Sequence, residues 1–137
     1  MSLESSLITY LGADVDLGAL LGIGTSPETY RIYHELRPDN TTPALVFSRT
    51  GASRQLVLGG PSQFTIARIS IDAWAASAVL ARDLGAKLKA RLDGVTGNMS
   101  GTTIQIGYYE GEIDLGDFEG DRRDKRISYD FVFILNE

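Results

Sequence analysis

Cysteine is absent from the 137 residues, so a disulfide framework, a thiol nucleophile and a zinc-thiolate site are all excluded. Histidine is nearly as scarce. His34 stands alone, which rules out a metal cluster built on several imidazoles. A Ser-His-Asp triad would have to use it, but no Gly-x-Ser-x-Gly elbow occurs, and a lone histidine in a strand pattern is more often a structural hydrogen-bonder. Gly22-Ile23-Gly24 and Gly59-Gly60 lack the strand-loop-helix setting and following lysine of a phosphate cradle. No apolar run of about 20 residues is present, and Met1 to Ser5 carries no basic n-region. This predicts a soluble protein made in the cytoplasm, with no membrane partner. The 18 acidic residues outweigh 13 basic ones for a net charge of −5. That balance disfavours sequence-specific nucleic-acid binding, because phosphate contacts need clustered Lys and Arg.

What is present centres on Phe64 to Leu92. Thr65, Ala67, Ile69, Ile71 and Ala73 alternate with Ile66, Arg68, Ser70, Asp72 and Trp74, the period of two expected of a strand that buries one face. Beyond Trp74 the period changes. Ser77, Leu80, Ala81, Leu84, Gly85, Leu88 and Leu92 follow helical spacing and predict an amphipathic helix with one apolar stripe. Ala81 and Gly85 are small enough to let that helix approach a sheet closely. Gly94 is placed to end it through positive φ.

Before this stretch, Ser2 is expected to cap a helix reaching about Leu11, with Leu3, Leu7, Ile8 and Leu11 on one face. A second helical piece, 14–21, is capped by Asp14 or Asp16. Tyr30 to Leu36 and Ala44 to Arg49 read as strands separated by a Pro/Asn/Asp turn. After the long helix, Val95 to Gly101 reads as a loop. Thr102 to Glu112 reads as a strand with Ile104, Ile106 and Tyr108 on one face and Thr103, Gln105 and Tyr109 on the other. The last strand, Ile127 to Leu135, sets Ile127, Tyr129, Phe131, Phe133 and Leu135 in one row. At about 1.5 to 3 kcal/mol per large buried side chain, that row contributes on the order of 10 kcal/mol of gross burial. Val132 and Ile134 on its reverse face also ask for cover, from a helix or from another subunit. These elements predict one α+β domain over 1–137. It would be two-layered, with four to five antiparallel or mixed strands and helices packed on one face.

Three stretches leave alternatives open. Thr50 to Ser62 reads either as a hairpin packed on its own domain or as an arm, carried by Arg54, Leu56, Val57 and Leu58, that orders against a neighbouring subunit. Glu110, Glu112, Asp114, Asp117, Glu119 and Asp121 read as an exposed acidic loop. The oxygen ligands suit a divalent metal, but their spacing departs from the calcium-loop pattern, so neither a metal nor a cofactor is assigned. A weaker stripe of Val79, Ala86 and Ala90, with Asp83 among them, sits beside the main helical stripe and is covered either by the N-terminal helix or by an adjacent protomer.

The run Ala67-Arg-Ile-Ser-Ile-Asp-Ala-Trp-Ala-Ala-Ser-Ala-Val-Leu-Ala-Arg-Asp-Leu84 resembles the tail completion proteins of long-tailed bacteriophages, which include tail terminators and head-to-tail joining proteins. Arg31-Ile32-Tyr33, Thr42-Pro43-Ala44-Leu45-Val46-Phe47 and Tyr129-Asp130-Phe131 extend the likeness in order along most of the chain. The resemblance implies a non-enzymatic virion component, assembled in the host cytoplasm, that caps the tail tube as a ring of its own copies. By family analogy the ring is a hexamer, and its partners are the tail tube protein and the head connector or neck protein. It gives the ambiguous stretches a use: Asp114, Asp117 and Glu119 would face the lumen through which DNA passes, and Val79, Asp83, Ala86 and Ala90 would meet the next subunit. A head-side neck component is the nearest alternative. From a different class, a small ligand-binding or hydrolytic α+β domain would use the acidic loop and His34.

Overall fold

The computed structural model describes residues 2–21, 32–34, 43–57, 60–115 and 125–136, with the backbone alone at 15, 18, 54–57, 60–63 and 136. Two helices come first, α1 (Leu3–Gly12) and α2 (Val15–Leu21). The Ser2 hydroxyl accepts from the Ser5 amide at 3.2 Å and caps α1. The Asp14 carboxylate does the same for α2, accepting from Asp16 and Leu17. Each bond satisfies an amide that a helix start leaves without a partner.

Strands β1 (Ile32–His34), β2 (Ala44–Val57) and β3 (Gly60–Ala75) precede the long helix α3 (Ala78–Leu92). After it come β4 (Val95–Met99), β5 (Thr102–Asp114) and β6 (Lys125–Asn136). The six strands form one sheet in the order β1-β2-β3-β6-β5-β4. The β1–β2 pair is parallel and every other pair antiparallel.

The architecture is the α+β arrangement read from the pattern, with six strands where four to five were expected. The extra strand is β4, which the sequence reading took as a loop. Ser100 and Gly101 both have positive φ, 47° and 105°, and they link Met99 to Thr102 in a two-residue hairpin turn whose twist matches that of the strands. The second difference lies in β2 and β3. They run 14 and 16 residues and pair as far as Val57↔Gly60, so both strands are longer than the pattern indicated and residues 50–57 belong to a β2–β3 hairpin.

Thr65, Ala67, Ile69, Ile71 and Ala73 of β3 are buried, as are Ile127, Tyr129, Phe131, Phe133 and Leu135 of β6. The two rows lie side by side, with Ile71 opposite Tyr129 and Ile69 opposite Phe131. Helix α3 packs on this face through Ala81, Leu84, Gly85, Leu88 and Leu92, all buried. Its start is capped by the Ser77 hydroxyl, which accepts from the Leu80 amide at 3.2 Å, and Gly94 just beyond its end has φ 84°. Helix α1 lies on the same side. Arg49, which shares the face of Ile69, donates to Glu4 at 2.9 Å, and the Ser6 hydroxyl meets that of Thr102 at 2.6 Å.

Gly85 sits directly over the Tyr129 ring, and a Cβ there would overlap Cζ and the hydroxyl oxygen. The same hydroxyl donates to the Ala81 carbonyl at 3.1 Å. Glycine costs about 1 kcal/mol of helix propensity relative to alanine. Here, however, the added methyl forces the ring aside, and overpacking of this kind typically costs 1–3 kcal/mol or somewhat more. Gly85→Ala is therefore expected to destabilise the fold by about 2 kcal/mol despite its better propensity, read as a lower urea midpoint.

Burial pushes the Tyr129 hydroxyl from its ordinary value near 10 up to about 12, with the nearby Glu112 carboxylate acting in the same sense. The folded state thus holds this proton after the unfolded chain has lost it. The associated stability is complete below pH 10 and disappears as pH rises toward 12. Tyr129→Phe should flatten the fall in thermal midpoint over that interval while losing about 1 kcal/mol at neutral pH from the missing hydrogen bond.

Candidate assembly interface

Helices cover one face of the sheet. On the other, side chains of β3, β6 and β5 project outward in cross-strand rows set by the register. Ile66 lies opposite Ile134, and Ile134 opposite Ile106, so three isoleucines form one apolar row across three strands. Phe64 at 42 %, Ile106 at 40 % and Tyr108 at 38 % are the exposed members of this patch. Val132, between Arg68 and Tyr108 in the next row, is buried. The cover that the sequence asked for Val132 is thus found within the chain, whereas Ile134 remains half-buried.

The sequence pattern placed Ile104, Ile106 and Tyr108 together, and the structure separates them. A bulge between Ile104 and Ile106 shifts the register, so Ile104 is buried against the core while Ile106 and Tyr108 turn to the open face. Strict alternation cannot foresee a bulge, since one inserted residue inverts every later side chain.

Beyond the isoleucine row the open face turns polar. Arg68 donates to Glu110 at 2.7 Å. Ser70 donates to Asp130 at 2.5 Å, and Arg126 donates twice to Asp72, at 2.7 and 3.1 Å, while its guanidinium lies 5.1 Å from the Trp74 ring. Arg68 and Arg126 are thus each matched within the chain. Asp130 carries a hydroxyl donor and, among the described residues, makes no ion pair.

A second bare surface lies on α3. Val79, 71 % exposed, and Asp83, Ala86 and Ala90 are all exposed. At about 100° per residue they fall opposite Ala81, Leu84 and Leu88, not beside them. Of the two covers left open for this stripe, the N-terminal helix is therefore not the one. α1 packs against β1 and β4 and reaches only the C-terminal end of α3, where the Tyr10 carbonyl accepts from Arg91 at 3.0 Å, while α2 takes the flank of α3. Nothing among the described residues covers the stripe.

The remaining sequence-derived candidates divide. Arg54, Leu56 and Val57 lie on the β2 backbone near the tip of the β2–β3 hairpin, with their side chains outside the described residues, as is all of Leu58. Asp114 is exposed at the end of β5 and pairs with Lys125 at 2.6 Å; Asp117 and Glu119 fall outside the described residues. His34 stacks on Phe47 with ring centroids 5.1 Å apart. The described residues gather no group of three or more metal-ligating side chains.

One polar cluster escaped sequence reading because its members are distant in the chain. Lys89 donates to Glu112 at 2.9 Å, Tyr109 donates to the same carboxylate oxygen at 2.7 Å, and the ammonium lies 4.6 Å from the Tyr109 ring. The hydrogen bond to Glu112 raises the Lys89 pKa, and the bonds from Lys89 and Tyr109 lower that of Glu112. Both shifts hold the groups charged, the reverse of what a nucleophilic lysine or an acid catalyst requires. The cluster acts as a clamp between α3 and β5. Glu112→Gln should destabilise the fold by about 0.5 kcal/mol, screened by salt, since the pair is partly exposed. Guanidinium denaturation is the wrong probe because it screens charge itself; urea at two salt concentrations reads the effect.

A family model described as tail completion protein gp17 matches residues 5–132. Among curated proteins no sequence matches this chain. In fold the chain is similar to a chain of a solved structure titled virion of native gene transfer agent (GTA) particle. The TM-score is 0.78 and the identity 16 %, with 99 % of this chain and 96 % of that chain covered.

Proposed function

The chain belongs to the tail completion protein gp17 family, a family of phage tail structural proteins, and from that premise we propose that its copies close into a ring on the end of the tail tube. The ring stops further polymerisation of the tube and offers its far side to the head connector. By family analogy it has six copies, and assembly takes place in the host cytoplasm before the protein joins the virion. The mechanism is complementarity of shape and surface, repeated once per subunit, with no bond made or broken.

One observation carries this reading. Among the described residues the sheet is covered by helices on one face only, and the other face holds an apolar row, Ile66, Ile134 and Ile106, joined to Phe64 and Tyr108. Exposed contiguous apolar patches of this kind mark interaction sites, and a one-sided sheet completes its layers against another element. The test uses purified tail tubes. Added protein should arrest tube growth at a fixed length, with one ring on the tube end in negative-stain images. Tubes that lengthen at the same rate with and without it would refute the cap.

Within that ring, the acidic stretch that begins at Asp114 and continues through Asp117 and Glu119 faces the passage for the genome. A negative wall repels DNA phosphates, so the genome slides without adhering. Asp114→Lys, Asp117→Lys and Glu119→Lys together should leave tails capped and heads attached while slowing DNA release several-fold, measured by dye-reported ejection in vitro. Ejection at the parental rate would remove the lumen assignment without touching the cap.

A further inference from the structure

We propose that α1 is a latch: it bridges the two ends of the sheet, opens as a unit, and while closed keeps the end strands from pairing with strands of other molecules. This stands whether or not the chain forms a ring.

Strands β1 and β4 occupy opposite ends of the six-stranded order, yet α1 packs against both. In a flat sheet those ends would be five strand spacings apart, about 24 Å at about 4.8 Å each. A helix with its side chains is only about 10–12 Å across. The polar contacts of α1 show how it reaches both ends. Glu4 accepts from Arg49 of β2 at 2.9 Å, and the Ser6 hydroxyl meets that of Thr102, where β5 leaves the β4 hairpin, at 2.6 Å. At about 100° per residue Glu4 and Ser6 project about 200° apart, from opposite flanks of the helix. Leu3, Leu7 and Leu11 form the buried ridge between them. The sheet therefore curls until its ends lie on either flank of one helix, an unfinished barrel with α1 in the seam.

The seam is joined differently from the rest of the wall. Elsewhere each strand is tied to the next by a backbone ladder. Among the described residues, the polar links from α1 to the sheet are Glu4 with Arg49 on one flank and, on the other, Thr102 with the Ser6 hydroxyl and the Ser2 carbonyl. A wall parts first where its links are fewest, and local openings of this kind proceed below the cost of global unfolding. An uncovered end strand presents backbone donors and acceptors to any other strand, and a helix laid against it removes that hazard. Here one helix serves both ends, so both are closed or opened together.

The test exploits the absence of cysteine. Ser6→Cys with Thr102→Cys creates one disulfide that can be closed and opened in the same molecule, in the full chain. Without denaturant, amide hydrogen exchange in the β1–β2 and β4–β5 ladders should be at least about tenfold slower in the oxidised than in the reduced form. The β1–β2 end is decisive, because the crosslink does not touch it. Glu4→Gln, which weakens the other flank and needs no disulfide, should speed exchange in β4 as well as in β1. At urea concentrations matched for the fraction of unfolded chain, the oxidised form should build sheet-rich aggregates several-fold more slowly than the reduced form.

Exchange that slows only beside Thr102, or at neither end, would overturn the latch, as would a Glu4→Gln effect confined to β1 and β2. Slower exchange at both ends with equal aggregation rates would overturn the protective role.

Discussion

Helix α3 sits on the sheet through the absence of a side chain. At Gly85 the helix backbone comes down on the Tyr129 ring, and the ring's hydroxyl reaches the Ala81 carbonyl one turn earlier. The aromatic ring occupies the space a Cβ would fill, so helix and sheet lie closer than two ordinary side chains would allow. Ala81 extends the small stripe, and Leu84, Leu88 and Leu92 lock on either side of it. This seating fixes which way the sheet faces. The large apolar side chains of β3 and β6 go to the helix side, and the reverse side is left with isoleucines at one end and matched charges elsewhere. Among the described residues no second layer lies on that reverse side.

The parts of this arrangement that were legible in the sequence are those governed by a single unbroken period. In β3 and β6 no bulge interrupts the pairing of Phe64 through Ala75 with Lys125 through Asn136, and alternation assigned every inward residue correctly. The α3 stripe followed the same logic, with Ser77 shifted from stripe to cap. The caps Ser2 and Asp14 were readable because their chemistry is local. Reading failed where tertiary geometry breaks the period. The bulge after Ile104 moved Ile106 and Tyr108 to the other face. In β4, Gly97 and Asn98 hide the strand, and only Met99 is fully buried, so its sequence offers no alternation to detect. The outward stripe of α3 was recognised by its residues and misjudged in direction, since whether α1 covers it depends on where α1 packs. The isoleucine row is invisible in one dimension, because Ile66, Ile106 and Ile134 come from three strands and meet only once the register is known.

The charged residues on the open face have a role distinct from attraction. Arg68 with Glu110 and Arg126 with Asp72 are internal matches, worth little to stability at such exposure. They keep the face wettable before assembly and confine its apolar part to one band. A face that was apolar throughout would aggregate without register. A narrow apolar band between fixed charges accepts an element of limited width in a limited set of orientations, and like charges brought opposite in a wrong register are penalised.

The proposed ring would gain from each interface being modest. In such a ring the first contacts would be made between free molecules and would forfeit translational and rotational freedom. The contact that closes the ring is made between subunits already held together, at a high effective concentration. Individually weak contacts would therefore leave free subunits dispersed, whereas a closed ring would be stable. On the proposed reading, a tube end that held subunits side by side would supply the same advantage to the early contacts, so assembly would happen where the tube ends and not ahead of it. A narrow row of three isoleucines, Ile66, Ile106 and Ile134, suits that requirement better than a large hydrophobic interface, which would associate before there was a tube end to hold the subunits.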